Sequence, residues 1–300
     1  MRSLSREWGE AIDDRAADIY AVMRGMCILA AIASICCGDF AFAHEAAQDL
    51  VRKGGWQWAV IAAGSFDLAT ARRLGRDPSD VLTVYIEGDG FAYATRGRRS
   101  MDPTPPDPLA LRLALQHPGG GAVAWLARPC QYGARARNCR SDYWTIARYA
   151  PEVIDSASAA LDRLKTDASA SRLILVGYSG GGALAALLAE RRRDVSALVT
   201  VAANLDLATW VQANGLTPLT GSIDPATEAA KLSRIPQLHF VGADDRIVDV
   251  RIARAFVARM AADAPVAVTV VQGQDHGCCW AARWPALAAT TEFSRMEGWR

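Results

Sequence analysis

The sequence has little histidine, no marked excess of either charge and no apolar run long enough to cross a membrane. Its 300 residues include 33 Lys and Arg against 32 Asp and Glu, which leaves a net charge of +1. A balanced charge gives no basic surface of the kind that nucleic acid or an anionic membrane attracts. The apolar run at 26–37 is shorter than the roughly 20 residues that span a bilayer. These absences argue against nucleic-acid partners and a transmembrane segment.

The N-terminus has the pattern of a secretory signal peptide. Arg24 precedes the apolar run, and the small-residue pattern Ala41-Phe42-Ala43 follows it. A basic start, a short apolar core and an A-x-A site predict cleavage after Ala43 and a periplasmic or secreted protein. Residues 1–22 are long and acidic for such a segment, so translation from Met23 is an alternative start. An amphipathic N-terminal helix that stays on the protein is the other interpretation.

The remaining residues, 44–300, predict a single α/β domain. Continuous apolar runs alternate with segments of helical spacing, which is typical of a doubly wound, mostly parallel sheet with helices on both faces. The runs that predict strands are 58–64, 81–88, 122–129, 172–179, 197–205, 237–244 and 266–273. The stretch 206–236 interrupts this alternation, and we interpret it as a cap-like excursion within the domain.

One serine stands between a predicted strand and a predicted helix. Gly177-Tyr178-Ser179-Gly180-Gly181 fits G-x-S-x-G, the sharp turn that exposes a serine hydroxyl. Small residues must flank such a serine, because larger side chains would collide with the neighbouring strand and helix. The motif is short, but its place between a strand and a helix is the context that supports a nucleophile.

A serine nucleophile needs a base, and the base needs an acid to orient it. Of the four histidines, only His276 follows a predicted strand in a position to reach the edge of the sheet that carries Ser179. His117 is expected in a loop and His239 in the core. For the acid we favour Asp245, which has the spacing G-x-x-D-x-x-V from Gly242. Asp244 beside it and Asp206 remain as alternatives, whereas Asp275 is interpreted as a solvated loop carboxylate.

The order Ser179, Asp245, His276 after successive strands resembles that of the α/β-hydrolase family. This resemblance covers nearly all of the predicted mature chain. It implies an oxyanion hole of two backbone N–H groups, one of them at Gly180 and the other in the loop after the strand at 81–88. Relatives often have His-Gly there, whereas this sequence has Glu87-Gly88-Asp89-Gly90. The Asp89 amide, then that of Gly90, is the expected second donor. The two acidic side chains could also attract a cationic substrate.

Two aromatic residues adjoin these positions, and neither a metal nor a cofactor is expected. Phe91 and Tyr178 neighbour the proposed oxyanion loop and nucleophile and are therefore expected to bind substrate.

Four cysteines follow residue 43, and an even number of cysteines in an exported chain predicts disulfides. We expect a bridge between Cys130 and Cys139. The adjacent Cys278 and Cys279 could pair with each other, stay free or cross to the first pair. Their spacing matches no usual zinc site.

Together these patterns predict an exported serine hydrolase that cleaves carboxylic esters through an acyl-enzyme. The expected substrate is a small-molecule or lipid-like ester, and no cofactor is needed. A peptidase or amidase with the same triad is one alternative, because the triad does not fix the leaving group. A hydrolase-like binding protein that has lost activity is the other, although such a protein would have no reason to keep all three residues. The sequence carries no signal for the oligomeric state.

Overall fold

The structure is a computed structural model that describes residues 43–75, 80–95, 97–133 and 137–299. The predicted signal peptide and the alternative start at Met23 therefore lie outside the described residues. The strands are β1 (Gln57–Ala63), β2 (Phe66–Arg73), β3 (Val81–Ile86), β4 (Tyr93–Thr95), β5 (Arg98–Arg99), β6 (Ala122–Leu126), β7 (Arg172–Tyr178), β8 (Val195–Val201), β9 (Gln237–Gly242) and β10 (Val266–Val271). The helices are α1 (43–53), α2 (Leu109–Leu115), α3 (Pro151–Asp167), α4 (Gly180–Arg191), α5 (Leu207–Asn214), α6 (Val250–Val257) and α7 (Trp280–Leu287).

Eight of the strands form one sheet in the order β1-β2-β6-β3-β7-β8-β9-β10. Every pair from β6 to β10 is parallel, whereas β1 with β2 and β2 with β6 are antiparallel. The predicted doubly wound, mostly parallel sheet is therefore confirmed. The strand β2 and the short β4–β5 hairpin were not predicted.

Helices cover both faces of this sheet. Alternate side chains of β3 point to opposite faces, so Val84 belongs to one core with α3 and α4, whereas Tyr85 belongs to a second core with α2 and α7. All six residues of β3 are buried, as the continuous apolar sequence predicts for a strand that is covered on both sides. The middle of the sheet is consequently a rigid support for the loops at its edge.

The segment 206–236 contains α5 and two short 3-10 helices, Pro225–Thr227 and Ala229–Leu232. Asp206 begins it as the N-cap of α5, where its Oδ1 accepts a hydrogen bond from the Thr209 amide at 2.8 Å. Its Oδ2 accepts from Arg259 Nη2 at 2.9 Å. Both oxygens of Asp206 are thus used in holding this segment, which leaves the residue no part in a triad.

Two of the histidines are buried in the core. His239 on β9 is where the sequence predicts it, with its Nδ1 2.9 Å from Thr200 Oγ1. His117, which the sequence places in a loop, is also buried, because its ring contacts Tyr85 Oη at 2.9 Å and packs against the Trp299 ring. Burial lowers the pKa of each of these histidines to about 3. Neither histidine is at the candidate site.

We expect His239→Gln to reduce the acid sensitivity of the fold. The folded protein keeps His239 neutral until about pH 3, whereas the unfolded chain protonates it near 6.5. Its stabilising contribution is therefore complete above about pH 6.5 and decreases as the pH falls towards 3. Glutamine can keep a hydrogen bond to Thr200 but takes up no proton. Between about pH 6.5 and pH 5 the variant should lose about 1–2 kcal/mol less stability than the unmodified protein in urea denaturation. Equal losses would contradict the assignment.

Candidate active site

The turn between β7 and α4 holds Ser179 in a backbone conformation that is rare for a residue with a side chain. Its φ is 49° and its ψ is −121°, which typically costs about 1–3 kcal/mol. The surrounding fold enforces this conformation, because the Ser179 amide donates to the Val201 carbonyl at 2.9 Å and the Ser179 carbonyl accepts from the Gly182 amide at 2.9 Å. The hydroxyl consequently stands at the end of the strand, clear of the helix that follows.

The glycines around Ser179 are required by close backbone contacts. A Cβ on Gly177 would lie 2.4 Å from the Gly181 carbonyl oxygen, and one on Gly181 would lie 2.2 Å from the Ile86 carbonyl oxygen. A Cβ on Gly180 would lie 2.1 Å from Asp89 Oδ1. The helix and the loop after β3 thus approach each other too closely for any side chain.

We therefore expect Gly181→Ala to lower the free energy of unfolding by about 3 kcal/mol or more, because backbone atoms have to move to admit the new methyl group. Gly121→Ala is the matched control, since a Cβ there meets nothing within 4 Å. That variant should change stability by no more than about 0.5 kcal/mol. Urea denaturation of both variants is the measurement, and a similar loss at the two positions would show that the packing around the turn is looser than described.

His276 and Asp245 form a chain of hydrogen bonds with the serine. Ser179 Oγ lies 3.0 Å from His276 Nε2, and His276 Nδ1 lies 2.9 Å from Asp245 Oδ2. The other carboxylate oxygen, Asp245 Oδ1, accepts from the amides of Ile247 and Val248 at 2.8 Å each. The Asp245 side chain is fully buried. A carboxylate held on both oxygens can orient the imidazole and stabilise its protonated form.

The two other aspartates close to His276 in sequence or space, Asp244 and Asp275, are exposed. Asp275 Oδ1 accepts from the amides of Gly277 and Cys278. Asp275 thus shapes the turn that carries the histidine. The predicted acid, Asp245, is the carboxylate that contacts His276.

Contacts to the His276 carbonyl hold the ring in place. Tyr178 Oη donates to this carbonyl at 3.0 Å, and Trp280 Nε1 donates to it at 3.2 Å. The Tyr178 and His276 rings also lie 5.6 Å apart. Tyr178 therefore contacts His276 through both its hydroxyl and its ring.

The loop after β3 supplies two backbone N–H groups near the serine. The Gly88 amide donates to Glu87 Oε1 at 3.0 Å, and the Phe91 amide donates to the Pro103 carbonyl at 3.0 Å. Between them, the amides of Asp89 and Gly90 have no recorded acceptor among the described residues. The same is true of the Gly180 amide at the start of α4. The three backbone donors that the sequence predicts thus remain available to a bound oxyanion.

Glu87 supports this loop from below. Its carboxylate accepts hydrogen bonds from the amides of Gly88, Ala110 and Leu111 and from Trp125 Nε1, at 3.0–3.4 Å. Two of these amides belong to the first turn of α2, where a carboxylate is favoured by the free N–H groups. Burial raises the pKa of Glu87 to about 7 despite these donors. Glu87 is a structural link between β3 and α2 and is closed to a cationic substrate.

Asp89 is held between two arginines. Its Oδ1 accepts from Arg128 Nη1 at 2.8 Å, its Oδ2 accepts from Arg148 Nη1 at 2.5 Å, and Tyr149 Oη donates to Oδ2 at 3.2 Å. Burial raises the pKa of Asp89, but Arg148 and Arg128 outweigh it and hold the pKa below its usual value. Since both oxygens are already paired, the expectation that Asp89 attracts a cation is not supported.

The two disulfides lie near this site. Cys130 is bonded to Cys139, as expected, and Cys278 is bonded to Cys279. Next to the first bridge, Gln131 Nε2 donates to the Gly88 carbonyl at 3.0 Å. The Cys130 segment therefore fixes the loop that holds Asp89 and Gly90.

A cavity of about 740 Å³ opens at Ser179 and His276. Asp89, Gly90, Tyr93, Arg148, Asn204 and Ile247 contribute to its wall, together with Trp210, Leu216, Thr217 and Leu219 from the 206–236 segment. Phe91 and Tyr178, which the sequence predicts to bind substrate, are not among the residues that line this cavity. Arg148 and Asn204 were not anticipated, since nothing in their local sequence marks them.

Among the described residues, no helix combines the length and apolarity needed to span a bilayer. Within the same residues, no group of three or more histidine, cysteine or acidic side chains has an arrangement that could hold a metal ion.

Several solved structures that are similar to this chain are those of hydrolases. Residues 135–276 match the family model described as serine hydrolase (FSH1), a range that includes Ser179, Asp245 and His276. No curated protein matches the sequence. A Pyrococcus furiosus esterase is similar in structure, with 13% identity and a TM-score of 0.56 over 82% of this chain and 93% of the esterase.

Two larger hydrolases share the fold in part. A puromycin-hydrolysing peptidase from Mycobacterium tuberculosis has 16% identity and a TM-score of 0.58, covering 81% of this chain but 40% of the peptidase. A puromycin hydrolase mutant has 19% identity and a TM-score of 0.56, with 78% and 38% covered. This chain thus spans about two fifths of those proteins. The sheet, the turn and these matches define an α/β-hydrolase fold. Within this fold, residues 135–276 are similar to the serine hydrolase (FSH1) family.

Proposed function

We propose that this protein is an exported serine hydrolase that cleaves carboxylic esters through an acyl-enzyme, with Ser179 as nucleophile, His276 as base and Asp245 as the orienting acid. The observation that carries the proposal is the continuous chain of hydrogen bonds from Ser179 Oγ to His276 and on to Asp245. A buried carboxylate on the far side of the imidazole is what a histidine needs to accept the serine proton and remain in place.

In this mechanism His276 Nε2 removes the Ser179 proton as Oγ attacks the carbonyl carbon. The oxyanion that forms accepts hydrogen bonds from the Gly180 amide and from the amide of Asp89 or Gly90. Each such donor is typically worth about 3 kcal/mol in the transition state. His276 then gives its proton to the leaving oxygen as the bond between that oxygen and the carbonyl carbon breaks. In the second half, His276 removes a proton from the water that attacks the acyl carbon, and it returns this proton to Ser179 Oγ as the bond to the serine breaks and the acid leaves.

Labelling with a fluorophosphonate tests the proposal without knowledge of the substrate. The phosphonate should form a covalent bond to Ser179, and mass spectrometry of the digested protein should find the added mass on the peptide that contains residue 179. Ser179→Ala should remain unlabelled, whereas Asp244→Asn, a charge change beside the triad, should label at a normal rate. An unlabelled native protein would instead support the hydrolase-like binding protein.

An amidase or peptidase is the second candidate, because two of the structurally similar proteins hydrolyse puromycin. The same triad can act on either bond, since the leaving group is protonated by the same histidine. Comparison of a p-nitrophenyl ester with the p-nitroanilide of the same acid separates the two. Ester cleavage with no measurable anilide cleavage supports the esterase, and comparable specificity constants support the amidase.

Export is proposed from the apolar run and the A-x-A pattern that ends at Ala43. Two disulfides in the described residues are in keeping with an oxidising compartment. The mature protein is therefore expected in the periplasm or the medium, with His44 as its first residue. N-terminal sequencing of protein from fractionated cells is the measurement. Intact Met1 or Met23 on cytosolic protein would contradict it.

A further inference from the structure

Arg148 has one guanidinium nitrogen that the protein does not use. Its Nε donates to the Thr145 carbonyl at 2.8 Å and its Nη1 donates to Asp89 Oδ2 at 2.5 Å. Within the described residues, Nη2 has no hydrogen-bond partner. The residue is 6% exposed and forms part of the cavity wall. Because Arg148 lines the cavity, this donor is open to a hydrogen-bond acceptor that occupies the cavity.

The charges around Arg148 do not balance. Arg128 and Arg148 carry two positive charges, while Asp89 carries one negative charge and the buried Tyr149 stays neutral because burial raises its pKa. Besides Asp89 and Arg148, the described cavity wall has two ionisable groups, Tyr93 and His276, and His276 is paired with Asp245. Arg128, Arg148 and Asp89 together therefore carry a net charge of +1 near the oxyanion loop.

A second unpartnered polar group lies in the same wall. Asn204 is 2% exposed, and its side-chain Oδ1 is buried without a partner among the described residues. Its backbone amide donates to the Ser179 carbonyl at 3.4 Å, which places Asn204 beside the nucleophile. Asn204 Oδ1 is an acceptor, so it can take a hydrogen bond from a donor on a ligand but not from a carboxylate.

The rest of the wall is largely apolar. Trp210, Leu216, Leu219 and Ile247 contribute to it, and Arg148 also lies 5.9 Å from the centre of the Trp210 ring. An apolar wall with one buried arginine suits a ligand that has an aliphatic body and a single anionic group. With Nε and Nη1 already engaged, Nη2 can give a carboxylate a charge-assisted hydrogen bond through one nitrogen.

We propose that Arg148 binds a carboxylate on the acyl chain of the substrate, so that the enzyme prefers half-esters of dicarboxylic acids. This inference rests on the proposed ester hydrolysis. The leaving group has to lie against His276, which protonates it. Arg148 instead contacts Asp89, Thr145 and Trp210. We therefore infer that it faces the acyl part of the substrate, which stays on the serine.

The first experiment compares two substrates that differ in one charge. The p-nitrophenyl half-ester of adipic acid carries a free carboxylate, and its methyl diester is the neutral match. The native enzyme should have a kcat/KM about ten-fold or more higher for the half-ester, as expected for a hydrogen bond to a charged group. Salt should reduce this ratio. Equal constants for the two esters, or a preference for a carboxylate on the leaving group, would overturn the inference and leave ester hydrolysis intact.

The second experiment measures binding without turnover. Ser179→Ala should bind monomethyl adipate about ten-fold more tightly than dimethyl adipate in calorimetry. If the native enzyme hydrolyses neither ester and Ser179 does not label, the proposed function fails, while this measurement still decides the role of Arg148. Equal affinities would overturn it.

Arg148→Lys separates the anion site from the ion pair. Lysine can keep the pairing with Asp89, but it has no second nitrogen at the position of Nη2 to reach the substrate carboxylate. The preference for the half-ester should fall below about three-fold, and thermal melting checks that the variant is folded. Arg254→Gln, which removes an exposed positive charge outside the cavity, should keep the full preference. If Arg148→Lys also keeps it, Arg148 does not bind the carboxylate.

Discussion

Ser179→Ala should lower kcat for small activated esters by at least about 10⁴-fold, the largest effect we expect from any single substitution. The variant keeps the cavity and the backbone donors, but it has no oxygen to form the acyl-enzyme. Some rate above the uncatalysed reaction should remain, because the oxyanion donors still act on a bound ester. Steady-state hydrolysis of p-nitrophenyl butyrate, with the uncatalysed rate measured in parallel, is the test. Near-normal turnover would mean that the nucleophile lies elsewhere.

Substitution of His276 or Asp245 should also lower kcat strongly. His276→Ala should be about as severe as the serine change, because the hydroxyl then stays protonated. Asp245→Asn should lower kcat by about 10⁴-fold, since it favours the wrong imidazole tautomer and weakens the contact at 2.9 Å. The three effects should not add in a triple variant, because the residues act as a unit.

Asp244→Asn is the matched control, since Asp244 neighbours Asp245 but is exposed. Its kcat should stay within about two-fold of the native value, as for a surface substitution away from the chemistry. A larger loss from Asp244→Asn than from Asp245→Asn would mean that the acid is misassigned, while Ser179 and His276 could keep their roles.

The nucleophile turn could be predicted from sequence because its constraints are local. A strand, a serine between small residues and a helix follow each other directly, and the close contacts of Gly177 and Gly181 explain why no larger residue is found there. The positions of His276 and Asp245 also follow from the chain, because residues after parallel strands meet at the same edge of the sheet.

The substrate pocket was predicted less well, because neighbours in sequence need not point into the same space. Tyr178 adjoins the nucleophile, but its hydroxyl bonds to the His276 carbonyl. Tyr93, two residues beyond Phe91, lines the cavity instead. Trp210 reaches it from α5, where its Nε1 is fixed by the Ile247 carbonyl at 2.9 Å. Such contacts depend on how distant segments pack, which no local pattern records.

The strand β2 was missed for a related reason. Its sequence Phe66–Arg73 has buried residues in succession at Leu68, Ala69, Thr70 and Ala71, and it ends in two arginines. It therefore lacks both the alternation of a half-exposed strand and the β-branched run of a central one. The strand forms because the turn at Gly64, with φ +55°, returns the chain antiparallel to β1.

Asp89→Asn should lower the free energy of unfolding by about 3–5 kcal/mol, the usual cost of removing one partner from a buried ion pair. The Arg128 and Arg148 side chains are 5% and 8% exposed, so their charges cannot be solvated when the carboxylate is lost. The loop that carries the Asp89 and Gly90 amides should move as well, because the carboxylate lies directly against Gly180. We therefore expect kcat to fall more than KM rises, as for a donor that acts in the transition state.

Two comparisons separate this charge effect from a general sensitivity to substitution. Asp49→Asn removes a carboxylate from the exposed pair with Arg52, and it should change stability by less than about 1 kcal/mol. The double variant Asp89→Asn, Arg148→Gln removes one charge of each sign and should recover part of the stability lost by Asp89→Asn alone, because one buried arginine is then left unpaired instead of two. Urea denaturation of the four proteins, native included, gives the coupling. If the double variant is less stable than the native protein by the sum of the two single losses, Asp89 and Arg148 act independently, and the cluster is not what holds the oxyanion loop.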